Sequence, residues 1–235
     1  MPSVLRAPAA RVWFFWTLTW NVVVLATMWP AWILAMKLWP TSRTFWTWLR
    51  AWAWLVLTGC GFRVEGAHDA PRGPVVYAAN HQAMLDIPAL ALGIPAPFVF
   101  VARSELRRLP LVGSILAVSR CVFLDRRAPG GTDAALEAAR ERLEAGESVL
   151  LFPEGTRSYG RDLGRFYPGA FRLALEAGVS VVPVAIDGAY RLLDENGETA
   201  QPGRVTVKLG APIEPSGSAL EVGRQVRAAV NGLLP

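Results

Sequence analysis

The segment VVYAANHQAMLD, residues 75–86, joins an apolar run to a polar motif that contains one of the two histidines of the chain. The run 75–79 has the length and composition of a buried strand, and the residues after it are typical of a loop that leads into a helix. Asn80 is suited to cap that helix, because its side chain can accept a hydrogen bond from an unpaired backbone N–H group. The segment therefore predicts a strand, a loop and a helix in succession, with the helix ending near residue 92.

His81 and Asp86 lie five residues apart across this predicted turn. Unperturbed imidazole titrates at about pH 6.5, so His81 is the side chain best suited to accept a proton near neutral pH. In one continuous helix the two side chains would point roughly 140° apart. They meet only if His81 lies in the loop and Asp86 points back from the first helical turn. The pair then has the arrangement of a general base and the carboxylate that orients it, although the spacing alone is a weak signal.

Short apolar runs alternate with helical patterns along the rest of the chain. The predicted strands are residues 62–66, 75–79, 97–102, 121–124, 148–152, 181–186 and 205–209. The predicted helices are the one that Asn80 caps and that carries Asp86 to about residue 92, and those at 133–145, 170–177 and 219–234. This alternation predicts an α/β fold with a mostly parallel central sheet flanked by helices. Open sheets of this kind bind ligands at the carboxyl ends of their strands, which is where the polar motifs fall.

Two further polar clusters follow predicted strands, Asp125-Arg126 and the segment EGTR at residues 154–157. Arg126 and Arg157 carry planar, permanently charged groups that suit phosphate binding, and Gly155 lets a ligand approach the backbone closely. Ordinary ion pairs at the strand ends are the alternative interpretation of both clusters.

The first 60 residues differ in composition from the rest of the chain. All 10 tryptophans fall between residues 13 and 54, and no acidic residue precedes Glu65. The basic residues of this segment are Arg6, Arg11, Lys37, Arg43 and Arg50. The other 19 basic residues (24 less these five) balance the 19 acidic residues, so the net charge of +5 belongs to this segment. A basic, apolar, Trp-rich segment indicates a membrane partner and argues against nucleic acid, which favours basic clusters across the folded domain.

Residues 12–36 carry no charge and are long enough to span a bilayer. A signal peptide is disfavoured because no small-x-small cleavage site follows. We predict a membrane-embedded helical hairpin broken near Pro30, followed after Pro40 by an interfacial helix at residues 44–57; a single spanning helix is the alternative. The predicted domains are a membrane-anchoring segment, residues 1–60, and an α/β domain, residues 61–235. Deleting residues 1–58 is then expected to release the α/β domain from membranes.

Four motifs occur in order along the predicted α/β domain: NHxxxxD at 80–86, FLDR at 123–126, FPEGTRS at 152–158 and VVPV at 181–184. Together they resemble the four motifs of the glycerolipid acyltransferase family, which includes bacterial 1-acyl-glycerol-3-phosphate acyltransferases. The resemblance covers residues 62–215, and the Trp-rich leader resembles the membrane-docking helices of that family.

The resemblance implies an enzyme that moves a fatty acyl group to the sn-2 hydroxyl of lysophosphatidic acid at the cytoplasmic face of a membrane. The donor would be acyl-CoA or acyl-carrier protein as co-substrate, with no cofactor, no metal and no covalent acyl-enzyme. His81 would act as general base and Asp86 would orient it. The acceptor would be bound by Arg126, Glu154, Gly155, Thr156 and Arg157, with Arg103 and Asn80 assisting.

Several positions depart from the family pattern. Ala83 lies where Ser is frequent, Arg120 where Gly is common, and FYPG at 166–169 replaces a frequent Phe-Lys-x-Gly, for which Arg165 is a possible substitute. These differences leave the acceptor open between lysophosphatidic acid and another lysolipid, such as a lyso-ornithine lipid. A lipid-binding membrane protein without catalytic activity is the alternative of a different class. His68, in a predicted turn, is expected to be a surface residue.

Overall fold

The structure is a computed structural model that describes residues 7–160, 162–194, 196 and 198–235; Arg6 of the basic leader lies outside these residues. The helices are α1 (Ala7–Leu38), α2 (Ser42–Gly59), α3 (Asp86–Gly93), α4 (Val112–Val118), α5 (Gly131–Glu144), α6 (Gly169–Ala177), α7 (Ala189–Leu192) and α8 (Ala219–Leu233), with a 3₁₀ helix at Ser104–Arg108. The strands are β1 (Phe62–Glu65), β2 (Val76–Ala79), β3 (Phe98–Arg103), β4 (Val122–Leu124), β5 (Ser148–Leu151), β6 (Val181–Asp187), β7 (Leu193–Asp194), β8 (Thr199–Ala200) and β9 (Gly203–Leu209).

The main sheet has the strand order β1-β9-β6-β2-β5-β3-β4. Neighbouring strands are parallel except for β6 and β9, which pair antiparallel. The predicted α/β class with a mostly parallel sheet is therefore confirmed. The chain adds α4, α7 and the small β7–β8 hairpin, which were not predicted from the sequence because each is too short to show a periodic pattern.

Helices cover the sheet on both faces, because successive residues of a strand point to opposite sides. On β2, Tyr77 and Ala79 belong to a core shared with α1, α2 and α3. Val76 and Ala78 belong to a second core shared with α5, α6 and α8. All four residues of β2 are buried, as expected of a central strand in a parallel sheet.

The helical hairpin turns near Pro40, and the predicted break near Pro30 is wrong. Pro30 lies inside α1, which is continuous from Ala7 to Leu38. A proline in a helix costs roughly 3 kcal/mol because it removes one hydrogen bond and crowds the preceding turn. Contacts beside Pro30 compensate: the indole N–H of Trp29 donates to Ser114 Oγ at 2.6 Å, and the Trp32 side chain is buried. Thr41 ends the turn by capping α2, accepting from the Thr44 N–H at 3.0 Å.

The predicted interfacial helix at 44–57 is α2, and it packs on α1 and on the sheet domain. Its apolar face is buried in protein, where Phe45, Leu49, Ala53 and Leu57 join the core that contains Tyr77. This side of α2 is therefore unavailable to lipid. The pattern predicted an amphipathic helix correctly, but the helix uses its apolar face for folding.

Several tryptophans of the hairpin are hydrogen-bond donors to backbone. The indole N–H groups of Trp13, Trp16 and Trp20 donate at 3.0 Å to carbonyls at the end of α2, those of Cys60, Gly59 and Leu55 respectively. Carbonyl groups at the end of a helix lack helical partners and need donors from elsewhere. Part of the tryptophan content is thus explained by pairing between α1 and α2.

Arg50 connects the hairpin to the helix that carries Asp86. Its guanidinium donates to the Ala91 carbonyl at 2.8 Å, at the carboxyl end of α3. A cation is favoured there because the helix dipole places partial negative charge at that end. The change of composition near residue 60 is therefore not a boundary of the hydrophobic core.

Candidate active site

The polar motifs meet at one edge of the sheet. Strands β2, β3, β4 and β5 are adjacent and parallel, so their carboxyl ends lie side by side. His81 follows β2, Arg103 ends β3, Arg126 follows β4 and Glu154 follows β5. This is the edge at which open α/β sheets bind ligands.

His81 and Asp86 form the contact that their spacing required. The distance between His81 Nδ1 and Asp86 Oδ2 is 2.7 Å. His81 lies in the loop after β2, and Asp86 is the first residue of α3. The same oxygen accepts the backbone N–H groups of Gln82 at 2.6 Å and Ala83 at 3.0 Å. Because the Ala83 backbone supplies this bond, no side chain at residue 83 is needed to hold the carboxylate.

The contact through Nδ1 leaves the other ring nitrogen of His81, Nε2, directed away from Asp86. The Asp86 side chain is fully buried, and this burial raises the pKa of Asp86, while the His81 ring and the two N–H groups oppose the shift. When Nδ1–H donates to the carboxylate, the lone pair of the neutral ring is on Nε2. The ring also stacks on Phe152, with ring centres 4.0 Å apart and planes inclined by 17°. Its orientation is thus fixed at one edge and on one face.

The backbone of His81 is held on both sides by the loop that follows β5. The His81 N–H donates to Glu154 Oε1 at 2.8 Å, and the His81 carbonyl accepts from the Ser158 N–H at 2.8 Å. Glu154 Oε2 accepts from the Gly164 N–H at 2.8 Å. Burial raises the pKa of Glu154, and the two N–H donors oppose that shift. Glu154 thus links the backbone of His81 to that of Gly164, and its predicted contact with substrate stays a prediction.

Asn80 joins two strands in this fold, so its predicted role in helix capping is wrong, while its predicted role in substrate binding stays a prediction. Its side-chain amide donates to the Ile186 carbonyl at 3.0 Å and accepts from the Ile186 N–H at 2.7 Å. Asn80 is 1% exposed, so both ends of the amide serve to join the ends of β2 and β6. The helix begins at Asp86 without a side-chain cap.

Two exposed arginines converge on Gly155. Gly155 has a φ of +70°, and a methyl group added there would lie 2.5 Å from Arg126 Nη2, so the guanidinium lies directly over this peptide. Arg103 Nη2 donates to the Gly155 carbonyl at 3.0 Å. Thr156 beside them is exposed. The two cations form a positive surface at Gly155, the residue after the one that bonds to the His81 backbone, and this surface suits an anionic group.

Arg157 and Asp125 lie near the same edge of the sheet, and the predicted substrate contact of Arg157 stays a prediction. Arg157 is half-buried beside Tyr159, with its guanidinium carbon 5.9 Å from the ring centre. Asp125 accepts from the backbone N–H groups of Arg127 at 2.9 Å and Ala128 at 3.2 Å. Asp125 therefore stabilises the turn after β4. Its described hydrogen bonds go to backbone and not to the Arg126 side chain.

Phe152 and Gly164 are site residues whose roles sequence reasoning missed. Phe152 belongs to a predicted motif, but its stacking on His81 depends on the pairing of β2 with β5. A methyl group at residue 164 would lie 2.7 Å from Glu154 Oε2, so the carboxylate occupies the space that a side chain would need. Nothing in the local sequence shows that contact, since ten residues separate Gly164 from Glu154.

We expect Glu154→Gln to lower stability and kcat with little effect on the Michaelis constant for the acceptor. The amide retains one acceptor oxygen, and its NH₂ group would face a second backbone donor, which costs about 1–3 kcal/mol for a buried pair. Thermal unfolding and steady-state kinetics measure both effects. Glu176→Gln, an exposed change on α6, is the matched control and should stay within about 0.5 kcal/mol. A raised Michaelis constant at unchanged stability would instead place Glu154 on the substrate.

The sequence model of the acyltransferase family matches residues 61–187 of this chain. A 1-acyl-sn-glycerol-3-phosphate acyltransferase of Chlamydomonas reinhardtii is 35% identical over 166 residues, which are 70% of this chain and 50% of that protein. A lyso-ornithine lipid O-acyltransferase of Pseudomonas aeruginosa is 37% identical over 142 residues, which are 60% of this chain and 53% of that protein. The chain spans about half the length of these curated relatives.

The solved structures include a fold similar to this one over nearly its whole length. The crystal structure of the 1-acyl-sn-glycerophosphate (LPA) acyltransferase of Thermotoga maritima has a TM-score of 0.82 at 26% identity. The aligned region covers 97% of this chain and 96% of the Thermotoga chain, so the similarity includes the helical hairpin as well as the sheet. The family match covers more than half of the chain and contains His81, Asp86 and the later motifs, and the chain therefore belongs to the acyltransferase family.

Proposed function

We propose that this chain transfers a fatty acyl group from an acyl thioester to the sn-2 hydroxyl of lysophosphatidic acid, giving phosphatidic acid. The observation that carries the proposal is the His81–Asp86 pair, 2.7 Å apart, beside the two arginines that converge on Gly155. A base next to a site for an anion matches an acceptor that has both a hydroxyl and a phosphate. Several relatives bear the name of this activity.

The proposed reaction is a direct acyl transfer. His81 Nε2 takes the proton of the acceptor hydroxyl while the hydroxyl oxygen attacks the carbonyl carbon of the thioester. Asp86 stabilises the imidazolium that forms, since its buried carboxylate lies against Nδ1–H. The tetrahedral intermediate collapses with cleavage of the C–S bond, and the imidazolium returns its proton to the leaving thiolate. The products are the ester and the free thiol of CoA or of the acyl-carrier protein.

The phosphate of the acceptor is proposed to lie on the surface formed by Arg103, Arg126 and Gly155. Each arginine offers several N–H donors in a rigid plane, which suits the oxygens of a phosphate. Arg157, half-buried nearby, adds positive charge to this edge. The position of the phosphate then sets the distance between the acceptor hydroxyl and His81.

We expect Arg126→Met to raise the Michaelis constant for lysophosphatidic acid roughly 10- to 100-fold, with a smaller change in kcat. A charge-assisted hydrogen bond contributes about 1.5–3 kcal/mol, and 1.4 kcal/mol is tenfold in binding. Arg127→Met is the matched control, because it removes the same charge from the next residue, which is exposed. Initial rates against acceptor concentration in mixed micelles measure both variants. Equal effects of the two substitutions would contradict a specific role for Arg126.

A lyso-ornithine lipid is the second candidate acceptor, since a relative named for that activity is 37% identical. A transfer assay that crosses acyl-CoA and acyl-carrier protein donors with lysophosphatidic acid, other lysophospholipids and lyso-ornithine lipid tests both. Use of lysophosphatidic acid with rejection of phosphate-free acceptors supports the first proposal. Preference for lyso-ornithine lipid replaces it with the second. Binding of lipid without turnover of any donor would show a non-catalytic lipid-binding protein.

The hairpin is proposed to hold the site at a membrane surface without crossing the bilayer. Among the described residues, one helix, Pro8–Leu38 within α1, is long and apolar enough to span. Trp13 and Trp29 of α1 both bond to the rest of the protein, and 16 residues of helix separate them by about 24 Å. A spanning orientation would break one of these contacts. Val12, Phe15, Val22, Val23 and Leu34 of α1 are exposed, which suits insertion into one leaflet.

A further inference from the structure

We propose that Arg227 of the C-terminal helix is a positioning residue for His81. Arg227 is exposed on α8, outside the segment 61–187 that matches the acyltransferase family. It reaches His81 through two intervening residues, Gly164 and Glu154. The proposal rests on the function proposed above, in which His81 is the base.

The link consists of hydrogen bonds in series. Arg227 Nε donates to the Gly164 carbonyl at 3.1 Å, and Arg227 Nη2 donates to the Leu163 carbonyl at 3.0 Å. The Gly164 N–H donates to Glu154 Oε2 at 2.8 Å. Glu154 Oε1 accepts from the His81 N–H at 2.8 Å. A charged side chain on the protein surface is thereby connected to the backbone of the proposed base.

The loop between β5 and α6 needs such support. Its described residues from 156 to 168 contain neither helix nor strand, so their backbone groups lack the regular partners of a ladder. The planar fork of Arg227 supplies donors to two successive carbonyls at once. The cationic donor on the Leu163 carbonyl also polarises the peptide unit between Leu163 and Gly164, which makes the Gly164 N–H a stronger donor to Glu154.

Small displacements of the base have large effects on rate. Catalytic side chains have to be held within about 0.5 Å of their productive position, and an error of 1 Å costs roughly 10²-fold. His81 has two backbone anchors in this loop, Glu154 and the Ser158 N–H. Loss of the two Arg227 hydrogen bonds weakens the support of Glu154 but leaves the bond from the Ser158 N–H to the His81 carbonyl. We therefore expect a partial loss of rate.

Arg227 is not required to dock α8 on the protein. Val222, Val226 and Val230 of this helix are fully buried, and Ser218 and Glu221 form a capping box at its start. These contacts fix the helix without the arginine. The effect of replacing Arg227 should therefore appear in catalysis and in the surroundings of His81 rather than in global stability.

The test compares Arg227→Met with Arg224→Met in the full chain. Both remove one positive charge from the exposed side of α8, but among the described hydrogen bonds only those of Arg227 reach the loop. We expect kcat to fall about tenfold for Arg227→Met, with the Michaelis constants within twofold and the unfolding midpoint equal to that of the control. Arg227→Lys should recover part of the rate, because its ammonium reaches one carbonyl.

The two histidines of the chain provide a readout that does not depend on activity. In protein labelled with [¹⁵N]histidine and carrying no histidine tag, NMR shows one backbone amide signal for His68 and one for His81. We expect the His81 signal to move in Arg227→Met and to stay in place in Arg224→Met, with His68 unchanged in both. If Arg227→Met does not fold, Arg227→Lys is expected to move the same signal by a smaller amount.

A His81 amide signal that does not move in Arg227→Met overturns the proposal, whatever the rate. A kcat within twofold of wild type also overturns it. A wild-type chain that transfers no acyl group would refute the proposed function, and the amide signal would then decide by itself whether Arg227 holds His81.

Discussion

His81→Ala is expected to lower kcat by at least about 10³-fold while the protein remains folded. A positioned general base contributes roughly 10²–10⁴-fold, and His81 is the imidazole held between Asp86 and Phe152 at the ligand-binding edge of the sheet. The side chain is 16% exposed and lies outside both hydrophobic cores, so its removal should leave packing largely intact. Acyl-transfer rates and the thermal unfolding midpoint are the measurements.

Asp86→Asn should produce a loss of similar order through a different cause. The amide keeps the shape of the carboxylate, but it lacks the charge that stabilises imidazolium and no longer fixes the Nδ1–H tautomer. His68→Ala is the matched control, since His68 is exposed and remote in sequence from the pair. Retention of more than a tenth of wild-type kcat by His81→Ala, with His68→Ala unaffected, would refute the assignment of the base.

Deletion of residues 1–58 is expected to prevent folding, contrary to the simple expectation that it frees a soluble domain. The deletion removes large buried side chains that cover one face of the sheet, namely Phe14, Trp32, Met36, Phe45, Trp46, Leu49 and Leu57. Burial of each contributes about 1.5–3 kcal/mol, so the seven together contribute roughly 10–21 kcal/mol, as much as or more than the net stability of about 5–15 kcal/mol of a typical domain. Near-UV circular dichroism and thermal unfolding of the shortened chain measure the result.

A surface variant separates membrane binding from folding. Val12, Phe15, Val22 and Val23 are exposed on α1, and replacing all four with Gln keeps the buried side of the hairpin. This variant should unfold cooperatively like wild type but no longer sediment with vesicles of anionic phospholipid. For the deletion of residues 1–58 described above, cooperative unfolding of the remaining chain would contradict the prediction and show that the hairpin is a separable anchor.

The α/β class and the location of the site were predictable because they depend on local patterns. The run 75–79 is apolar without interruption, as a strand buried on both faces requires, and the chain forms β2 there. The requirement that His81 lie in a loop and Asp86 in the first helical turn followed from helix geometry alone. The 2.7 Å contact between them satisfies it.

The roles of Asn80 and Glu154 were not predictable, because each depends on partners distant in the chain. The family resemblance implied that both residues bind the acceptor. Ile186 lies 106 residues from Asn80, and its backbone carbonyl and N–H bond to the two ends of the Asn80 side-chain amide. Glu154 bonds to His81, 73 residues away, and to Gly164. The side-chain polar groups of both residues have hydrogen-bond partners within the protein. The order of the strands in the sheet brings Ile186 to Asn80 and His81 to Glu154.

The sequence alone determined the fold class, the strand ends that carry the polar motifs and the pairing of His81 with Asp86, because periodicity and short spacing encode these features. Only the tertiary structure decided which polar groups face outward and which serve as supports. It also made the Trp-rich leader part of the core, where its tryptophans cap α2 and Arg50 caps α3. The physical reason is that a buried polar group must find a partner, and the partner is supplied by whichever segment the fold brings within hydrogen-bonding distance.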